Sequence, residues 1–536
     1  MSRANKQLST KTIVPVEYFS NKENIADIQR FVTFCKEQNY KVEDVLYSVG
    51  VELLRKAGIY GKPHVQKVLS SLSAQRLSIL SLKSLPSDET DLLGLLYQCF
   101  LLEGEKNRKG SYYTPFEVAR NMTKNLDFSK GQTFFDPCCG SGAFILALEG
   151  VKPSQIFGCD NDPIAVMIAK INLLLKFPDE EFEPQIYCCD FLKVSNRTYD
   201  YIISNPPWGA VIFDKSGNPI STKESFSFFF EKAFNQLENE GVIRFLLPES
   251  ILNVKTHKNF RKFLLENTDI QSITRYPGTF SGVQTKYIDI QCCHSEPQRG
   301  EEPHKRFVNV YEDGSSYFVS KAAFHLTKNL NFNLLTDSDL EKVQKILSIG
   351  TYTLKDSVWA LGVITGDNKN KVKNHQGRGM EPIYTGKEIE AYTLKQPRKF
   401  IKYERSDFQQ VAKDEIYRAD EKLVYKFISK NLVFAYDNSK SLFLNSANIL
   451  IPRIPGMSIK TVLAFLNSEL FKFLYKSLFG EIKILKGNLM ELPFPEITPE
   501  TDRKLTKLVD EVLKGNQNAI KTINAVVVGA FENIQQ

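Results

Sequence analysis

The sequence predicts an α/β protein: a mostly parallel sheet covered on both faces, preceded by a helical segment and followed by a separate domain. Three observations carry this. From Phe134 to His294, short apolar runs alternate with helical stretches; such alternation needs crossover connections, which make a sheet parallel and bury both its faces. Before that stretch, apolar residues recur at three- and four-residue spacing with no strand pattern between them. After it the alternation stops, although more than 200 of the 536 residues remain. At roughly 100–200 residues per domain, a chain of this length holds two to four units. The expected division is a helical region over 1–105, the α/β domain over 106–330 and a further domain over 331–536.

Taken in order, the segment from about Asn21 to Leu102 is helical: Ile28, Phe31, Val32 and Cys35 share one face, and Leu92, Leu95, Leu96 and Cys99 repeat the pattern. The strands are TFFDP, QIFGCD, QIYCCD and YDYIISNPP, each ending in polar or turn residues. DPIAVMIAKINLLLKF and SFSFFFEKAFNQL are helices, and GVIRFLLPES and TKYIDIQCCH continue the sheet to His294. The polar run SEPQRGEEPHKR is expected to be a loop. Beyond about Leu335 strand and helix patterns mix. Between Thr351 and Lys440 there are 17 Lys and Arg against 12 Asp and Glu, a surplus of 5, and the stretch TGDNKNKVKNHQGRG is basic and glycine-containing. Neither internal repeats nor low-complexity tracts interrupt the chain.

Composition excludes several classes. Hydrophobic residues at 42% and charged residues at 24% rule out wholesale disorder. No apolar run approaches the roughly 18 residues needed to span a bilayer, and MSRANKQLSTKT lacks the apolar core of a secretory signal. Nine cysteines with no CxxC pair do not make a disulfide framework, so a reducing cytoplasm is the expected location. The pairs Cys138/Cys139, Cys188/Cys189 and Cys292/Cys293 are adjacent residues unsuited to chelating a metal, and the six histidines lack ligand spacing; no metal is expected, and the cysteines read as small core residues. The net charge of +7 admits a nucleic-acid partner without requiring one.

In open α/β sheets ligands bind beyond the carboxyl ends of the strands, where strand order reverses. Four strand ends here carry residues suited to one ligand. In FFDPCCGSGAFILAL, Gly140 and Gly142 permit a tight turn and close approach of a ligand; the spacing is neither a dinucleotide fingerprint nor a phosphate loop, and a plain strand–helix turn is the alternative. In FGCDND, Asp160 is placed to accept both hydroxyls of a ribose, while Asp162 reads as an N-cap before Pro163. In CCDFL, Asp190 suits an adenine amino group with Phe191 flanking the ring, or else caps a turn. ISNPPWG ends the fourth strand. Its two prolines fix an extended backbone and remove two donors, leaving the Asn205 side-chain oxygen and the Pro206 carbonyl as directed acceptors, with Pro207 and Trp208 beside them. Two acceptors and a π-face suit a planar amino group on an aromatic ring.

In their order, GSYYTP, DPCCGSGAF, GCDND, CCDF and NPPW resemble the motifs of S-adenosylmethionine-dependent DNA adenine-N6 methyltransferases of the gamma arrangement, above all the TaqI-like enzymes. The likeness covers roughly residues 90–295. VITGDNK, PIYTGKEIEAY and FLNSELFKFLYKSLFG with LMELPFP are similar to the target-recognition domains of that family. The resemblance implies a Rossmann-like methyltransferase domain with a mostly parallel seven-stranded sheet and a C-terminal α+β target-recognition domain. It implies that Tyr112 and Thr114 hold the methionine end of the cofactor, that Asp136, Gly140 and Gly142 form the loop around it, that Asp160 takes the ribose hydroxyls, and that Asp190 and Phe191 hold its adenine. Asn205, Pro206, Pro207 and Trp208 would act on the target base, and Phe280 would pack on it once flipped. Many relatives carry Tyr at the position of Trp208; cytosine enzymes usually carry Ser where this chain has Asn205, which favours adenine. The implied partner is double-stranded DNA, contacted by Lys369, Lys371, Lys373 and Arg378 in the basic loop, with a separate restriction endonuclease or specificity subunit as a further partner and no membrane association. Two alternatives stand beside this: a modification subunit that borrows its specificity from another chain, suggested by LLGLLYQCF, and a methyltransferase acting on RNA or protein glutamine. No nuclease core is evident in the first 90 residues.

Overall fold

Strands β1 (Phe134–Asp136), β2 (Ile156–Asp160), β3 (Gln185–Cys188), β4 (Tyr199–Ser204), β5 (Leu237–Pro248), β6 (Thr268–Thr279), β7 (Lys286–His294), β8 (Phe307–Glu312) and β9 (Ser315–Ser320) form one sheet. Its order is β3-β2-β1-β4-β5-β7-β6-β8-β9. The computed structural model describes residues 15–77, 85–86, 88–102, 113–194, 197–208, 225–279, 286–294, 307–480 and 483–532. They divide into two compact units, Met1–Lys321 and Ala322–Gln536.

In the first unit, β1 to β5 run parallel. Chain order reverses between β1 and β4, which opens a crevice beyond their carboxyl ends. β7 enters antiparallel between β5 and β6, and β8 and β9 add a hairpin beside β6. The sheet therefore exceeds the expected seven strands by β8 and β9, which follow the polar run 295–306; that run lies outside the described residues. β6 was not among the expected strands because Pro277-Gly278 reads as a turn. The pairing with β7 slips between Arg275 and Thr279, and this irregularity accommodates the proline inside a strand.

The N-terminal segment is four helices, Ile25–Glu37, Val42–Lys56, Pro63–Ser70 and Leu92–Phe100. Their apolar faces, with Ile28, Phe31, Val49 and Leu93, share one core with Ile168 and Ile171 of helix Pro163–Lys176. That helix buries nine of its fourteen residues, as its nearly unbroken apolar sequence requires. Its other side joins Val118, Met122, Phe134 and Phe144 in a second core. The cysteine pairs depart from expectation. Cys292 is buried but Cys293 only partly, and Cys188 is exposed. Successive strand residues face opposite ways, and β3 is the edge of its sheet.

The second unit holds two four-stranded sheets. One comprises β10 (Val358–Leu361), β17 (Ala447–Ile451), β14 (Lys422–Lys426) and β15 (Phe434–Asp437); the other comprises β11 (Val372–Lys373), β13 (Lys399–Ile401), β12 (Glu381–Tyr384) and β16 (Leu442–Phe443). Val424 and Ile449 from the first pack with Ile383, Ile401 and Leu442 from the second. A fully buried pair, Lys422 to Asp437 at 2.5 Å, ties β14 to β15. Helices Ile459–Asn467, Glu469–Phe479, Pro499–Leu513 and Ala519–Gly529 complete an α+β fold. The basic stretch is not a plain loop: Lys369 and Lys371 lie on the helical turn Asn368–Lys371 and Lys373 on β11, with Arg378 in the exposed segment that follows. Lys369, Lys373 and Arg378 are exposed. Lys371 instead donates to the carbonyls of Thr365, at 3.0 Å, and Asp407. Among the described residues, no helix is long and apolar enough to cross a membrane.

Candidate active site

A cavity of about 340 Å³ lies where the order of the sheet reverses, a size suited to a small-molecule ligand. Its wall is made by residues following four successive strands: Asp136 to Ser141 after β1, Asp160 to Asp162 after β2, Cys189 to Phe191 after β3, and Asn205 and Pro207 after β4. Gly140 and Gly142 have φ of 53° and 92°, values a side chain resists, and a Cβ on Gly140 would sit 3.0 Å from the Tyr113 ring. Asp160 ties two of these loops together. One oxygen accepts from the Gly140 amide and the other from the Asp162 amide, both at 2.9 Å. Asp162 caps helix Pro163–Lys176 by accepting from the Ile164 amide at 3.0 Å, and it also accepts from the Tyr97 hydroxyl at 2.6 Å. Asp190 caps the turn Phe191–Lys193 through the Leu192 amide at 3.1 Å and pairs with Lys193 at 3.0 Å.

Phe191 is buried, its ring packed 5.7 Å from Phe135 and 5.6 Å from Phe229, yet it reaches the cavity wall. The wall carries four carboxylates, Asp136, Asp160, Asp162 and Asp190, and no Lys or Arg stands among the described lining residues. Two buried polar atoms there have no hydrogen-bond partner, Asp136 Oδ2 and the Tyr113 hydroxyl. Asp136 Oδ1 accepts from the Cys138 amide at 3.0 Å and from Ser204 Oγ at 2.7 Å. Burial nonetheless pushes its carboxyl up to about 7, with the charge of Asp160 adding to the effect. Burial, and then Asp160, raise the Tyr113 phenol well above its ordinary range. An anionic phosphate is poorly matched to this wall. A cation bearing an aromatic base is well matched: the carboxylates complement its charge, Phe191 and Phe229 complement its ring, and the orphaned oxygens offer it hydrogen bonds.

The structure brings Thr114, Asp136, Gly140, Asp160, Asp190, Phe191, Asn205 and Pro207 to one cavity, with Gly142 at the end of its loop. Pro206 is buried behind Asn205. Trp208 is outside the lining; its Nε1 donates to the Leu246 carbonyl at 3.2 Å, and its ring lies 6.4 Å from Tyr287 at 44°. Tyr112 and Phe280 lie outside the described residues, and Lys369, Lys371, Lys373 and Arg378 belong to the second unit. Tyr113, Asn161, Phe229 and the cysteines Cys138, Cys139 and Cys189 line the cavity without having been singled out for it. Tyr113 sits inside GSYYTP and was discoverable there; Phe229 belongs to an apolar helix whose pattern marks core and lining alike.

Comparison with known proteins agrees with this geometry. Residues 88–345 match the sequence model of the N-6 DNA methylases, and residues 381–494 match that of TaqI-like C-terminal specificity domains. The chain is 31% identical over 312 residues to the type II methyltransferase M.VspI of Vibrio sp. (strain 343), covering 55% of this chain and 74% of that one. It is 27% identical over 231 residues to the type I restriction enzyme EcoEI methylase subunit of Escherichia coli, covering 38% of this chain and 46% of the subunit. Its fold resembles that of the type IIL restriction-modification enzyme MmeI in complex with DNA, with a TM-score of 0.63, 13% identity and 96% of each chain covered. With the strand-end cavity, its carboxylate wall and these matches in hand, the chain belongs to the N-6 DNA methylase family of DNA methyltransferases, with S-adenosylmethionine as cofactor.

Proposed function

We propose that this protein methylates the N6 amino group of adenine within a specific DNA sequence, in a restriction-modification or related defence system. The observation that carries the choice is the placement of Asn205, in NPPW, on the wall of the cavity that also holds Asp136, Asp160 and Asp190. When bound, S-adenosylmethionine supplies a methyl group already activated by its sulfonium. Thr114, Asp136, Asp160, Asp190 and Phe191 are the described residues that would hold it, with Tyr112 beside them; the loop Gly140–Gly142 would close around it. In this proposal Asn205 Oδ1 and the Pro206 carbonyl accept the two amino hydrogens of the target adenine. That contact favours a more tetrahedral nitrogen and aims its lone pair, which is catalysis by positioning and electrostatics. The amino group is inaccessible inside a duplex, so the base must flip out, at a cost of a few kcal/mol. Stacking on Trp208, and on Phe280, offsets this by roughly 1–3 kcal/mol per base.

By role, the proposed division is 1–105 as a helical region, 106–330 as the catalytic domain and 331–536 as the reader of the DNA site. The specificity-domain match at 381–494 supports a reader within this chain. The likeness to a type I methylase subunit supports a second reading, in which another subunit supplies or modifies the specificity. Single-molecule sequencing of DNA from a host expressing this chain alone separates them. Methyladenine at one defined site supports the first. An unmodified genome that becomes modified only when a specificity subunit is added supports the second, and methylcytosine would overturn the choice of base.

A further inference from the structure

Asp91 opens helix Leu92–Phe100 in the N-terminal segment, and an aspartate there is expected to do no more than cap it. One oxygen does so, accepting from the Gly94 amide at 2.9 Å. The same oxygen also accepts from Asn172 Nδ2 at 2.8 Å, on helix Pro163–Lys176, and the second oxygen accepts from the Ser141 hydroxyl. Asn172 Nδ2 donates in addition to the Ser141 carbonyl at 3.0 Å. Ser141 is buried, and its hydroxyl and its carbonyl are thus both held from outside its own loop. The approach depends on Gly94, where a Cβ would collide with the Asp91 carboxylate and the Ser141 hydroxyl.

Ser141 stands between Gly140 and Gly142, both at positive φ, in the loop that walls the cavity. Two glycines leave a loop many conformations in common reach, and no side chain of the loop's own restricts them. The contacts around Ser141 select one. A second link runs parallel to the first: Tyr97, on the same helix as Gly94, donates to Asp162 on the cavity wall at 2.6 Å, and Asp162 is joined through its amide to Asp160.

We infer that Asp91 is a positioning residue for cofactor binding, holding the Gly140–Gly142 loop in its binding conformation through Ser141. The N-terminal helical segment is thereby part of the cofactor site, although Asp91 touches no reacting atom. The inference rests on the cofactor reading of the cavity.

Calorimetric titration of the full-length chain with S-adenosylmethionine tests it, alongside DNA affinity and hydrogen exchange of the loop amides. Asp91→Ala should weaken cofactor binding roughly tenfold, the scale of one lost charge-assisted hydrogen bond, while DNA affinity and kcat at saturating cofactor stay near wild type. Ser141→Ala should weaken binding similarly, and the double variant should be no worse than the poorer single one. Asp91→Asn keeps an acceptor for Gly94 and Asn172 and should recover most of the affinity. Loop amides should exchange faster in Asp91→Ala. Wild-type affinity in Asp91→Ala, or additive losses in the double variant, overturns the inference. If Asp91→Ala fails to fold, the Ser141→Ala and Asp91→Asn titrations decide by the same criteria. A wild-type chain that binds no cofactor would instead sink the reading of the cavity, and the inference with it.

Discussion

Asp136 makes the pH dependence of cofactor binding the sharpest test of the site. Its carboxyl is lifted from 3.8 to about 7, chiefly by burial. A carboxyl raised in the folded state holds its proton there more tightly than in the unfolded chain. Its contribution therefore favours the fold at low pH, and is lost at about 1.4 kcal/mol per unit as pH rises from about 4 to about 7. A cationic ligand reverses the preference, because it is best met by the ionised form with its unpartnered Oδ2. Binding should then expel a proton below neutrality. Affinity measured by calorimetry should rise by up to about tenfold per unit from about pH 5.5 to about pH 7, and flatten above. Titrations in buffers of different ionisation enthalpy would count the proton. Asp136→Asn should abolish the slope and lower the affinity at pH 8 by about tenfold or more. Ser204→Ala removes a donor to the ionised form and should move the midpoint upward by about one unit. The cofactor's own α-amino group titrates near pH 7.7–8.0, so residual dependence there is expected in every variant. A slope that survives Asp136→Asn unchanged would refute the assignment of Asp136 to the ligand's cation.

Three further outcomes follow from the proposed roles. Asn205→Ala should eliminate methyl transfer while leaving calorimetric cofactor affinity nearly intact; loss of cofactor binding without unfolding would move Asn205 out of the target-base site. Trp208→Ala should reduce turnover less severely and lower the fluorescence of a 2-aminopurine placed at the target position, because the flipped base loses its stacking surface, worth roughly 1–3 kcal/mol. Charge reversal at the exposed Lys369, Lys373 and Arg378 should weaken DNA binding and flatten its salt dependence by about one log unit per charge removed, whereas Lys371, engaged by two carbonyls, should contribute less; an unaltered salt slope would exclude this surface from the interface.

The half of the sheet that carries the cavity was legible in the sequence because each of its strands ends in an informative turn: Asp136-Pro137, Asp160 to Asp162, Asp190, and Asn205 to Pro207. Local chemistry at the end of an apolar run is what pattern reasoning sees best. The far half was less legible. β6 hides its strand behind Pro277-Gly278, and β8 and β9 follow a long polar run that reads as the end of the sheet. Contacts between distant residues were not legible at all. Nothing in the spacing says that Asp91 meets Ser141 and Asn172, or that the Trp208 indole donates to the Leu246 carbonyl. The lysines of the basic stretch were visible as charge, but which of them face water depends on carbonyls 6 and 36 residues away along the chain.

The aspartates show why a cap and a ligand contact need not compete. For Asp190 the sequence offers two readings, a turn cap or a hydrogen-bond acceptor for a base, and capping by itself makes the functional one look superfluous. In the structure Asp160, Asp162 and Asp190 each accept a backbone amide and each line the cavity. A carboxylate offers about four lone-pair sites, so one or two amides leave acceptor capacity for a ligand. The amide bond also fixes the rotamer, and a carboxylate already oriented loses little conformational freedom when a ligand arrives. The cap is therefore the device that preorganises the acceptor. The consequence is measurable: replacing Asp190 by Asn, which can still cap the turn, should reduce cofactor affinity far less than replacing it by Ala, which loses the cap and the acceptor together. Equal losses in the two variants would show that the charge alone matters and that the cap has no part in binding.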